Sequence, residues 1–123
     1  MGYDVYITRK SNWFDKGGPE ITLEEWVEYV KADPEMRLDE RAQVENDKGQ
    51  ILRIESPGMA VWLAYSGHDI EGNMAWLTHR RGSIVVKNPD EEMLGKMWRI
   101  ARRLSAKVQG DEGEFYNEKG EAE

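Results

Sequence analysis

With 123 residues, a formal charge of −7 and no cysteine, the chain has room for one domain and no route to disulfides, thiolate zinc sites or thiol catalysis. Its two histidines stand without a third ligand at metal-binding spacing, so no metal or other cofactor is expected. No apolar run reaches membrane length, and Met1-Gly2-Tyr3-Asp4-Val5-Tyr6 lacks the basic and apolar regions of a signal peptide, so a cytoplasmic location is expected.

Tyr3, Val5 and Ile7 alternate with Asp4, Tyr6 and Thr8, the period of an opening strand. A loop follows from Arg9 to Glu20, broken by Gly17-Gly18-Pro19. A helix is expected over 22–32, with Thr22 as N-cap and Glu25 closing the capping box. Leu23, Trp26, Val27 and Val30 form its apolar face, Glu24, Glu25 and Glu28 take the exposed side, and Asp33-Pro34 stops it.

Strand signals and turns then recur regularly, giving strands near 36–45, 50–55, 59–65, 74–79 and 83–87. The turns between them are Asn46 to Gly49, Ser56-Pro57-Gly58, Ser66 to Asn73 and Arg80-Arg81-Gly82. Met59 to Tyr65 is apolar on both faces, as in an interior strand or one whose second face meets a partner. After Ile84-Val85-Val86 a second helix is expected over 89–105, with Asn88 as N-cap, Pro89 at the first helical position and Glu91 closing the box. Met93, Met97, Ile100, Ala101 and Leu104 line one side of it and Lys96, Arg99, Arg102 and Arg103 the other, with Glu92 placed to pair with Lys96. Val108 and Phe115-Tyr116 flank a turn at Gly110 to Gly113, and the acidic segment 117–123 reads as a frayed, disordered tail.

The order is therefore β, α, five β, α, β. It implies a single α+β domain over 1–116, an antiparallel meander sheet of five to seven strands with two helices packed on one face.

Catalytic chemistry finds no constellation. His68-Asp69 and His79 lack a nucleophile-elbow serine, and the carboxylate pairs are no more than 24 acids generate by chance. Charge is unevenly placed instead. Residues 20–47 hold ten acids against three bases, whereas residues 80–107 hold eight bases against three acids. Solvated helix faces explain such a split, and so does a bipolar surface for a charged partner or for self-association. The candidate partner-binding residues are the helix cations Lys96, Arg99 and Arg103, the strand tryptophans Trp62 and Trp76, and Trp13 in the loop. Core packing is the competing fate of each indole. The acidic whole, with a pI near 4.9, disfavours nucleic acid as the partner.

Over Tyr3-Asp4-Val5-Tyr6-Ile7-Thr8-Arg9, Trp13-Phe14, Val86-Lys87-Asn88-Pro89-Asp90 and Val108-Gln109-Gly110-Asp111, the chain resembles a group of small uncharacterised bacterial cytosolic α+β proteins. That group is similar in size and acidity to toxin-immunity proteins. The resemblance implies a bacterial cytosolic domain and transfers no functional residue. A non-enzymatic, protein-binding, immunity-like module is the expected function. The alternative is a small enzyme or ligand-binding domain whose pocket residues lie far apart in sequence.

Overall fold

The computed structural model of the chain describes residues 3–38, 41–45, 51–55, 58–66 and 75–123. In chain order the elements are β1 (Asp4–Thr8), α1 (Leu23–Ala32), β2 (Met36–Leu38), β3 (Arg41–Glu45), β4 (Ile51–Glu55), β5 (Met59–Trp62), β6 (Trp76–Arg80), β7 (Ser83–Lys87), α2 (Glu91–Arg103) and β8 (Lys107–Gly110). The expected turns over 46–49 and 67–73, and His68-Asp69, lie outside the described residues.

Six strands form one antiparallel sheet in the order β2-β5-β6-β7-β1-β8, and β3 pairs with β4 as a separate ladder. The fold is α+β with both helices on one face of that sheet. The meander runs through β5, β6 and β7, whose last turn is Arg81-Gly82. Both residues there have positive φ, 51° and 81°, as a two-residue hairpin turn of the primed type requires. The opening strand is then inserted between β7 and β8. Register places Val5, Ile7, Ala60, Trp62, Leu77, Ile84, Val86 and Val108 on the helix side, where they share one core with Trp26, Val30, Met97 and Ile100.

α1 starts on the capping box between Thr22 and Glu25. Its buried stripe differs from the expected one. Leu23 is 37% exposed and Val27 only half-buried, whereas Tyr29 packs against the core and stacks on Trp26 at 5.9 Å. Tyr29 OH donates to the Asp33 carboxylate, and that carboxylate reaches Lys96 of the second helix.

α2 starts at Glu91, and its N-cap is Asp90 rather than Asn88, with the Asp90 carboxylate accepting from Met93 N–H at 2.9 Å. Asn88 has another task. In the left-handed region at φ 48°, it donates its N–H to the Tyr3 carbonyl and accepts the Tyr3 N–H on Oδ1, both at 2.8 Å, closing the β1–β7 ladder. Ala106 and Ser105 N–H groups return to the Ala101 and Arg102 carbonyls in a Schellman end, with Ser105 at φ 53°.

The expected cationic stripe is not formed as such: Lys96 is buried at 4% exposure, while Arg99, Arg102 and Arg103 stay exposed. Residues 117–123, expected to be frayed, fold back instead. Asn117 Oδ1 accepts from Lys119 and Glu121 N–H, Glu123 N–H donates to the Phe115 carbonyl, and buried Gly120 lies against Glu91 and Leu94 of α2.

Candidate functional site

The helices leave the second face of the sheet free, though Thr8, Val61, Ser83, Val85 and Gln109 on it are buried, and register fixes its make-up. Met59, Thr78, Val85, Tyr6 and Gln109 form one row across β5, β6, β7, β1 and β8. Trp76 and Arg80 extend the same face at the two ends of β6, opposite Val61 and Ser83. Two open grooves lie on this face. One, of about 380 Å³, is lined by Met59, Trp76, Val85, Lys87 and Pro89. The other, of about 1090 Å³, is lined by Tyr6, Trp13, Phe14, Lys16 and Arg81. They meet at Arg80 and Val85, which line both.

The loop after β1 supplies the aromatic wall of the larger groove. Gln109, fully buried, holds it from below: its Oε1 accepts Trp13 N–H at 2.7 Å, and its amide donates to Asn12 Oδ1 and the Gly113 carbonyl at 3.0 Å each. Arg9 clamps the far end, with both terminal nitrogens on the Glu25 carboxylate at 2.9 and 2.6 Å. Trp13 consequently lies flat on Tyr6, ring centroids 4.1 Å apart, and Phe14 stands edge-on to it, 57% exposed. The Trp13 indole N–H is buried without an acceptor among the described residues, an arrangement that costs about 1–3 kcal/mol. Burial, aided by the hydrogen bond to Asp111, pushes the Tyr6 phenol up to about 12, so the platform stays uncharged.

Electrostatically the face is cationic at its rim. Arg80, Arg81 and Lys87 are exposed, and none makes an ion pair among the described residues. Of the nearby acids Asp4 stands opposite Lys87 in register on the same face, and three others are engaged. Asp90 caps α2 and accepts from Tyr65 OH at 2.5 Å, Asp15 accepts Asn12 N–H at 3.0 Å, and Glu20 lies 3.8 Å from Lys10. Arg81 also sits in the left-handed region, where Asn or Gly fits with less strain.

Of the six residues singled out from sequence, this face unites two, Trp13 and Trp76. Trp62 is 3% exposed and points to the helices, its indole N–H donating to Glu35 at 3.0 Å, so it is no surface anchor. Lys96 is enclosed beside it, 5.8 Å from the indole centroid. Arg99 and Arg103 stand on the helix side of the molecule. Sequence reasoning paired Phe14 with Trp13 in the loop but missed Tyr6, Arg80, Arg81 and Lys87 as partners of Trp13 and Trp76. Alternation in β1 already put Tyr6 opposite the core.

Among the described residues no three His, Asp or Glu side chains cluster as a metal site. His79 Nε2–H donates to the Ile21 carbonyl at 2.7 Å on the helix side, opposite in register to the face that carries Ser83. His79 and Ser83 therefore form no nucleophile–base pair. No described helix is long and apolar enough to cross a membrane. Comparison with protein-family models, curated proteins and solved structures finds no match.

Proposed function

We propose that the protein is a non-enzymatic binding module that holds a protein partner on the open face of its sheet. The observation that carries this reading is that Arg80, Arg81 and Lys87, exposed and without an ion pair among the described residues, stand beside aromatic surface that no helix covers. Buried aromatic anchors with a charged rim are what protein interfaces use. A toxin-neutralising role in a bacterial cytoplasm is the specific form that the sequence resemblance implies.

The groove of about 380 Å³ falls in the size range of small-ligand pockets, which supports the alternative of a ligand-binding domain. Two of its polar groups, however, are already committed: Asp90 is held by Tyr65 and Met93, and Asn88 by Tyr3, which leaves Arg80 and Lys87 as the charged groups able to orient a small molecule.

Immobilised protein is expected to retain a partner from a lysate of its source cells that Trp76→Asp loses and Arg99→Glu keeps. Hydrogen exchange on that complex should protect 13–14 and 76–87. Equal retention by Trp76→Asp, with protection on the helices, overturns the reading.

A further inference from the structure

On the reading that the open face is the docking surface, we infer that its occupant is an extended acidic segment of the partner. A large apolar side chain of that segment enters the groove beside Trp76, and a carboxylate four residues further along reaches Arg80 and Arg81.

Spacing comes from β6 itself. Trp76 and Arg80 sit on one strand and one face, four residues apart, which at about 3.4 Å per residue separates them by roughly 14 Å. An extended peptide has the same rise and the same period of two, so its side chains i and i+4 face the sheet together. The two grooves are neighbours that share Arg80 and Val85 in their linings, so a chain laid along β6 passes both.

Charge selects the class of partner. Among the described residues the rim cations make no ion pair, and of the acids nearby Asp90 and Asp15 already accept hydrogen bonds while Asp4 stands opposite Lys87 in register, so an incoming carboxylate is drawn to Arg80 and Arg81. Arg81 holds its cation at a turn position that disfavours its backbone, as binding sites do when function outweighs local stability. A polyanion such as single-stranded nucleic acid would also find cations and stacking surfaces here. The net charge of −7 repels a long phosphate chain more than it repels a peptide with one or two acids.

The test is a selection of random twelve-residue peptides displayed on phage, with the intact protein and with Arg80→Glu/Arg81→Glu as targets. Wild type is expected to enrich peptides with Trp, Phe or Leu at i and Asp or Glu at i+4. The charge-reversed variant should enrich Lys or Arg at i+4 instead. By anisotropy, the best wild-type peptide should bind that variant about tenfold more weakly, a loss of about 1.4 kcal/mol. Trp76→Ala should weaken every selected peptide. The inference is overturned if no peptide is enriched, if the enriched ones lack acids, or if position i+3 serves as well as i+4. Tighter binding of a twelve-residue deoxythymidylate would make the face a nucleic-acid site and would sink it as well. Should peptides fail while a whole partner still protects 76–87, the docking surface stands and only the extended segment is lost.

Discussion

Lys96 Nζ and Asp33 Oδ2 meet at 2.8 Å across 63 positions of chain, joining α2 to the end of α1 in the buried interior. Around them every partner is engaged. Tyr29 OH donates to the same Asp33 oxygen at 2.6 Å, Glu35 Oε1 stands 3.2 Å from Lys96, and Trp62 donates to that oxygen at 3.0 Å. The cation is enclosed and has no free path to substrate, so the network is a structural lock between helices. It also explains why Trp62 is committed to the core.

Removing one member of this lock leaves a charge stranded. Lys96→Met keeps the apolar stem and should cost about 2 kcal/mol in a urea melt, because the half-buried Asp33 loses its counter-charge. Asp33→Asn in the same background should add much less than it does alone, with a coupling of about 1 kcal/mol or more. Additive losses would mean that the pair does not interact.

Acid should unlock the fold. The Arg9 guanidinium, with help from Thr22, lowers the Glu25 carboxyl from 4.5 to about 2. Burial pushes Asp33 up, but the bonds from Lys96, Tyr29 and the Glu35 backbone outweigh it and leave it lowered. Bonds from Trp62 and Lys96 also lower Glu35. Depressed carboxyls bind fewer protons folded than unfolded, so their stabilisation is complete above the unfolded value and fades as pH falls through the folded one. The urea midpoint should therefore fall from about pH 4.5 toward pH 2, and Arg9→Met should shallow that fall. A flat profile over this interval would refute the assignment.

Ser105→Gly should stabilise the protein by about 1 kcal/mol. Ser105 sits at φ 53° just past the end of α2, in the left-handed conformation that Gly adopts without the Cβ penalty. A rise in melting temperature checks it, and a fall would show that the Ser side chain contributes more than the backbone relief.

Deleting residues 117–123 should lower stability by about 1–2 kcal/mol, since the segment covers Leu94 and closes three backbone hydrogen bonds. Gly120→Val tests the contact more sharply. A Cβ there would lie 2.8 Å from the Glu91 carbonyl, and φ of 76° disfavours a branched side chain. If the truncated chain and Gly120→Val both melt like wild type, the segment does not pack on α2.

Much of the fold was legible because local chemistry and long-range packing agree. The Thr22 capping box, the alternation in β1 and the apolar stripe of α2 each survive in the folded molecule. Three features were hidden for separate reasons. Lys96 reads as part of a solvated stripe until the distant acids Asp33 and Glu35 are brought to it. Trp62 and Trp76 could not be told apart, since Met59 to Tyr65 is apolar at successive positions and only register assigns the faces. Asn88 fits an N-cap by composition, but pairing with Tyr3 takes it away and Asp90 replaces it. For the candidate site the sequence offered Trp13 and Trp76 without Arg80 between them, because nothing local relates a loop to a strand placed two strands away.

The insertion of β1 between β7 and β8 has a consequence for synthesis. β1 is an interior strand, yet both of its neighbours, Ser83–Lys87 and Lys107–Gly110, are made long after it. During translation Val5 and Ile7 have no ladder to join until α2 and β8 have left the ribosome. Closing those contacts spans most of the chain, so folding should be slow for a domain of this length and should begin in the β5–β7 meander. A chain arrested before Ser83 would carry both edges of β1 bare, the surface that strand-pairing aggregates and chaperones recognise.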